Sequence, residues 1–330
     1  MRAIRIHETG SPDVMRLDHV DTPVPGPGEV QIRVGAAGVN FTDVMARQGM
    51  YISRDAAPVL PLTLGTEVAG VVTALGAGAP QELVGRRVVA FVHGGYAEFA
   101  VTTPDLVTEL PTGLDLGEAT SYLVQGVTAW QLLRDCGRIQ PGGSVLVHAA
   151  AGGVGTIAVQ LAKIFGASTV IATAGSPDKR KLAMELGADA AIDYTTPDWP
   201  DAVLAATGGR GVDIVLDAVG GSVGEQSPAC LAPFGTLVVY GVSSSRLASF
   251  AGSQLMHKNQ SVTGYWLTSR LLHPGADGSP TSRIVPELLK FSAAGRLRAV
   301  VRHAFSLEQA SEAHRAVGSR RTVGKVVLTM

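Results

Sequence analysis

Over the first part of the chain, apolar residues come in short runs at 30–34, 68–75, 87–92 and 96–101. Turn-forming clusters such as Pro23-Val24-Pro25-Gly26-Pro27-Gly28 separate them. Short strands with this punctuation predict a barrel-like β domain. Near Gly126 the pattern changes. Apolar, largely β-branched runs at 144–148, 168–173, 190–192, 212–216 and 236–240 alternate with helical periodicity at 154–165, 178–186, 201–207 and near 223–231. Continuously apolar strands separated by helices predict an α/β unit with a doubly wound parallel sheet. A further strand is expected at 261–265 and a helix at 283–294, and residues 325–329 read as a strand that returns to the first domain. The predicted division is 1–122 for the β domain, 123–265 for the α/β domain, and 266–330 for an edge helix and the return of the chain.

The strongest local signal is Ser144-Val145-Leu146-Val147-His148-Ala149-Ala150-Ala151-Gly152-Gly153-Val154-Gly155. A strand enters a tight turn and a helix leaves it. The spacing Ala149-x-x-Gly152-x-x-Gly155 is a relative of the G-x-G-x-x-G fingerprint with alanine first, and the strand before and helix after are the context that gives it meaning. Glycine here lets backbone N–H groups approach a pyrophosphate, and the helix that starts near Val154 turns its positive end toward it. His148, in a strand that reads as buried, is expected to be a satisfied core histidine.

The end of the second α/β strand selects the cofactor. Enzymes that use NAD place Asp or Glu there to accept hydrogen bonds from the ribose 2′-hydroxyl. This chain reads Ile171-Ala172-Thr173-Ala174-Gly175-Ser176, with Lys179 and Arg180 following and no carboxylate. A hydroxyl and cations suit a 2′-phosphate, so the expected cofactor is NADPH. Ser176 also suits the N-cap of the following helix, and Tyr194 is placed to add a phenol to the same pocket or to stand as a surface tyrosine.

Composition narrows the class further. The chain has 330 residues, 46% of them hydrophobic, and a formal net charge of −1. That length favours two domains. Near-neutral charge without a basic patch argues against nucleic acid or anionic membrane as partner. No run is long and apolar enough for a membrane span. The two cysteines, Cys136 and Cys230, lack metal or redox spacing, as expected of reduced thiols in a cytoplasmic protein.

With these residues in hand, the chain resembles the quinone oxidoreductase (ζ-crystallin-like) branch of the medium-chain dehydrogenase/reductase superfamily. The resemblance rests on Gly38-Val39-Asn40-Phe41-Thr42-Asp43, Leu64-Gly65-Thr66-Glu67-Val68-Ala69-Gly70, Gly126-Val127-Thr128-Ala129 and the 148–155 turn. It implies a GroES-like β domain closed by the C-terminal segment, with a Rossmann domain inserted. Zinc alcohol dehydrogenases of the superfamily carry Cys where Asn40 stands, His where Thr66 stands, and a four-cysteine lobe. A zinc site needs three or four such ligands, so the resemblance implies a zinc-free reductase with no metal ligands.

The resemblance also assigns residues. It puts Asn40, Phe41 and Thr128 on the nicotinamide side, and Ala151, Gly152, Gly153, Val154 and Gly155 around the pyrophosphate. Ser176, Lys179 and Tyr194 form the 2′-phosphate pocket, and Val219 an adenine-side contact. Gly241, Val242 and Ser243 form the nicotinamide loop. The segment Tyr265, Trp266 and Leu267 approaches the nicotinamide amide through its backbone, and Arg320 reaches the cofactor or stays a solvated cation. Met45 stands where close bacterial relatives often have tyrosine, and with Tyr51 it is assigned to the substrate pocket. Hydride transfer to a quinone or enone is the expected chemistry, with Asn40, Thr128 and Ser243 steadying the oxygen. An enoyl-thioester reductase of fatty acid or polyketide metabolism and a non-catalytic NADPH-binding protein are the alternatives. A homodimer paired along strand 261–265 is expected.

Overall fold

The structure, a computed structural model, describes residues 1–50, 59–273 and 278–330. The chain divides into two compact units. The first contains Met1–Val127, Pro274–Ala293 and Ala299–Met330; the second contains Thr128–His273 and Ala294–Arg298.

The first unit opens with strands β1 (Arg2–Ile6), β2 (Met15–His19) and β3 (Val30–Val39), then helix α1 (Phe41–Arg47). Strands β4 (Leu62–Thr63), β5 (Glu67–Leu75), β6 (Arg87–Phe91), β7 (Phe99–Thr102) and β8 (Val107–Glu109) follow, with helix α2 (Leu116–Thr120). The strands differ from the hydrophobic pattern in places, and β3 runs on to Val39. Residues 96–98 lie outside β7, because Tyr96 is fully buried with its hydroxyl on Asp43 and follows the Gly94-Gly95 turn. β2 carries only Met15 and Leu17 as apolar residues, too few to show alternation.

The second unit starts inside helix α3 (Gly126–Gln131) and proceeds through β9 (Ser144–Val147), α4 (Gly153–Ile164), β10 (Thr169–Thr173), α5 (Pro177–Glu185), β11 (Ala190–Ile192) and α6 (Trp199–Ala206). It continues through β12 (Val212–Asp217), α7 (Gly221–Gln226), β13 (Leu231–Val239), α8 (Gly252–Met256), β14 (Ser261–Gly264) and α9 (Leu267–Leu272). All neighbouring strands are parallel, in the order β11-β10-β9-β12-β13-β14. This is the doubly wound order in which the chain reverses direction across the sheet between β9 and β12, and ligands bind beyond the carboxyl ends of such strands. α7 stops at Gln226, short of the expected 231, because Pro228 cannot continue it. The core of this unit gathers Leu146, Ile171, Trp199, Val215 and Leu237.

The chain then returns to the first unit with α10 (Pro280–Ala293), β15 (Val301–Ser306), α11 (Ala310–Gly318) and β16 (Lys325–Thr329). β15 and α11 have no counterpart in the hydrophobic pattern. β16 pairs antiparallel with β3, and the sheet reads β15-β16-β3-β5-β6-β8, with β7 also on β3 and a smaller sheet β2-β1-β4 beside it. Ile6, Ile32, Val68, Val88 and Leu328 fill the core between them. No helix among the described residues is long and apolar enough to cross a membrane.

Candidate active site

In the second unit the glycine turn has the geometry an anion needs. β9 ends at Val147, and Ala149 takes φ +50°, a left-handed backbone that costs an alanine roughly 1–2 kcal/mol. Gly152 donates its N–H to the Ala149 carbonyl (2.8 Å) and caps α4, with no side chain bonding the cap. The first N–H groups of a helix have no partner inside it, so those of Gly153, Val154 and Gly155 remain to receive an acceptor. Gly155 is dictated by space: a Cβ there would lie 2.5 Å from the Ala149 oxygen and 2.7 Å from the Ala150 Cα. A helix start with no side-chain cap and with room for close approach fits a pyrophosphate.

Just past the end of β10 lie the residues expected to meet the 2′-phosphate. Ser176 Oγ accepts the Lys179 N–H (3.4 Å), so the serine does cap α5. Burial lowers the pKa of the half-buried Lys179 ammonium. The Tyr194 ring borders Gly175, 3.7 Å from where a Cβ would be. Arg180 is drawn elsewhere: it donates to Asp193 (2.6 Å) and to the Ala174 carbonyl (3.2 Å). Of the two cations read in the sequence, Arg180 is thus committed to Asp193.

A residue the sequence reading missed organises the other side. Asp217, fully buried at the end of β12, accepts the N–H groups of Val219 (2.7 Å) and Gly220 (3.1 Å). The turn it holds meets the loop after β13, where Ser243 donates its N–H to the Ala218 carbonyl and Ser244 to that of Val219 (both 2.9 Å). Val219, Gly241, Val242 and Ser243 thus lie together. An acid at a strand end followed by two glycines is the signal that could have revealed it. Thr128 is buried next to Tyr265, whose hydroxyl donates to Gln131 (2.8 Å). Trp266 caps α9 and Leu267 begins it.

His148, just before the turn, is satisfied as expected. Its Nδ1 meets Thr173 Oγ1 (2.8 Å) and its Nε2 meets Ser227 Oγ (2.9 Å), with Trp199 edge-on at 5.1 Å. Burial pushes its pKa down to about 4. Because the folded pKa lies below the usual 6.5, this residue's contribution is complete above about pH 6.5 and is lost as pH falls toward 4, by up to about 3 kcal/mol. We expect urea-unfolding free energy to drop between pH 7 and 5, and to drop less in His148→Gln. Identical profiles would clear His148 of the effect.

In the first unit, Asn40 caps α1 and is buried. Its backbone N–H donates to Asp43 Oδ2 (2.8 Å), its Nδ2 donates to Glu67 Oε1 (2.7 Å), and its Oδ1 accepts from Lys325 Nζ (3.1 Å). Lys325 also forms a fully buried ion pair with Glu67, whose other oxygen accepts the Val124 N–H (2.8 Å). Phe41 starts α1 and Met45 is buried within it. Asp43 accepts from Tyr96, which also meets His314 Nε2 (3.2 Å). Burial raises the Asp43 pKa to about 7 and lowers that of His314 to about 3. Arg320 is exposed just after α11, at φ +57°. Tyr51 lies outside the described residues. Among the described residues no group of three or more His, Cys, Asp or Glu is placed to hold a metal. Thr66 is exposed, and the cation beside Glu67 is the Lys325 ammonium.

A parallel 3-2-1-4-5-6 sheet with a glycine cradle at its switch point, joined in one chain to a separate mixed-sheet unit, defines a dinucleotide-binding protein of the dehydrogenase class. Residues 26–112 match the alcohol dehydrogenase GroES-like domain, and residues 153–277 match the family described as zinc-binding dehydrogenase. The chain is 36% identical to the rat synaptic vesicle membrane protein VAT-1 homolog over 93% of its length and 78% of that protein. It is 34% identical to a quinone oxidoreductase of Pseudomonas aeruginosa, over 99% of both chains. It is also 34% identical to a Burkholderia 2-haloacrylate reductase, over 98% of this chain and 97% of the other. Among solved structures, Escherichia coli quinone oxidoreductase complexed with NADPH matches with a TM-score of 0.92 at 32% identity, covering all of both chains. CurK enoyl reductase matches at 0.89 and 31%, covering 100% of this chain and 99% of the other. The chain belongs to the quinone oxidoreductase (ζ-crystallin-like) branch of the zinc-free medium-chain dehydrogenase/reductase superfamily.

Proposed function

We propose that this chain is a cytoplasmic reductase that uses NADPH, without zinc, to reduce a quinone or an α,β-unsaturated carbonyl compound. The chain is an NADPH-dependent oxidoreductase. The observation that supports the cofactor reading is the carboxylate-free end of β10, where Ser176 caps α5 on the Lys179 N–H and the Tyr194 ring borders Gly175. Bound NADPH supplies a hydride from its nicotinamide ring.

The chain's own residues do the rest. The N–H groups of Gly153, Val154 and Gly155 hold the pyrophosphate, and Lys179 and Ser176 the 2′-phosphate. The Val219 and Gly241–Ser243 loops orient the cofactor. Asn40, Thr128 and Ser243 offer polar groups to the oxygen that gains negative charge. A quinone needs little acid catalysis, since its reduced form is stable.

The likeness to CurK enoyl reductase supports a second reading, reduction of an enoyl thioester. Incubating the purified chain with NADPH and 1,4-naphthoquinone, 2-cyclohexen-1-one or crotonyl-CoA separates the two by loss of reduced-cofactor absorbance. Turnover of the first two supports the proposal, turnover of the thioester alone transfers it to the second reading, and no turnover of any removes both. We include in the proposal a homodimer joined along the edge strand β14, which a solution mass of 34.1 kDa would contradict.

A further inference from the structure

The buried ion pair Glu67–Lys325 is not what packing alone would select. Buried pairs of this kind are often replaced by apolar groups without loss of stability, since removing both charges from water costs about what their attraction returns. Here the first unit gives up a side chain to make room for the pair. β16 pairs with β3 so that Val326 faces Val39 and Val327 faces Gly38, while Val68 of β5 faces Ala37 from the other side. Glu67 and Lys325 therefore converge over Gly38, where any Cβ would overlap Glu67 Oε1 and Lys325 Nζ. Both charged side chains are at most 1% exposed.

What the pair grips is the Asn40 amide. The ammonium donates to Oδ1 and the carboxylate accepts from Nδ2. Turning the amide over would set its NH₂ against an ammonium and its oxygen against a carboxylate. Each end is thus fixed by charge, and one N–H of Nδ2 remains uncommitted to the pair. We propose that Lys325 and Glu67 are positioning residues that lock Asn40 as a hydrogen-bond donor toward the oxygen that becomes negative as hydride is delivered. The inference rests on the reading that Asn40 serves that oxygen. It also explains why asparagine suits this position: an amide held this way supplies a directed donor with no metal.

The test compares Asn40→Ala with the paired change Glu67→Gln/Lys325→Met, which removes both charges at similar volume. Three quantities are read: kcat with 1,4-naphthoquinone, NADPH affinity by fluorescence, and the Asn40 side-chain amide signal in a proton–nitrogen correlation spectrum of the cofactor-free protein. That signal is assigned by its loss in Asn40→Ala. Losing one oxyanion donor costs about 100-fold in kcat. We expect that loss for Asn40→Ala and about tenfold for the paired change. NADPH affinity should stay within about threefold and the unfolding midpoint should be little changed. The Asn40 amide protons should exchange slowly in the parent and fast in the paired variant. A merely structural role would lower the midpoint and leave kcat per folded molecule intact.

If Asn40→Ala lowers kcat and the paired change leaves both kcat and the amide signal as in the parent, the inference is overturned and the site reading stands. If Asn40→Ala has no effect, the site reading fails first. Should the paired variant not fold, Glu67→Asp carries the test. It keeps both charges and withdraws the carboxylate by one methylene, so an unchanged kcat and amide signal in that variant overturns the inference.

Discussion

Gly155→Ala is expected to abolish tight cofactor binding. The added Cβ would sit 2.5 Å from the Ala149 oxygen, 2.7 Å from the Ala150 Cα and 2.8 Å from the Ala150 carbonyl carbon. These are backbone atoms of the turn, so no flexible side chain can swing away. Either α4 moves back from β9 or the turn opens, and in both cases the N–H groups of Gly153 and Val154 leave the position that faces the pyrophosphate. A shift of about 1 Å in a positioning group can cost about 100-fold, and overpacking adds roughly 1–3 kcal/mol of instability. Gly252→Ala, where a Cβ meets nothing within 4 Å, is the matched control and should bind as the parent does. Equal NADPH affinity in the two variants would remove the glycine turn from the site.

Lys179→Ala should separate the two nicotinamide dinucleotides. The ammonium is half-buried and its pKa is lowered by loss of hydration, so a phosphate dianion nearby would reverse a cost the cofactor-free chain already bears. A charge-assisted hydrogen bond contributes about 1.5–3 kcal/mol, equivalent to roughly 10- to 100-fold in affinity. The variant should lose that much for NADPH and almost nothing for NADH, measured by fluorescence titration. Parallel losses would mean that Lys179 does not meet the 2′-phosphate.

The doubly wound unit was legible because its signals are local. Strand–turn–helix at 144–165 appears in sequence as a run of β-branched residues, a glycine triplet and an apolar periodicity, and the structure places β9 and α4 within a residue of those limits. Ser176 could be read both as a cap and as a pocket residue, and its position at the start of α5 allows both. What escaped depends on partners far apart along the chain. Lys325 was read only as the start of a strand, and nothing adjacent to it hints at Glu67, which lies 258 residues earlier. Arg180 looked equivalent to Lys179 until Asp193, thirteen residues on, took its guanidinium. β15 went unseen because its alternation is interrupted by Arg302 and His303, and its residues are at best half-buried.

The central claim is that the 149–155 turn holds a dinucleotide pyrophosphate and that the pocket beyond β10 prefers an extra phosphate. Titrating the purified chain with NADPH and, separately, with NADH tests it most directly. The account predicts saturable binding of both, with NADPH tighter by about tenfold or more, the amount one phosphate-binding charge supplies. No affinity for either, or tighter binding of NADH, would contradict it.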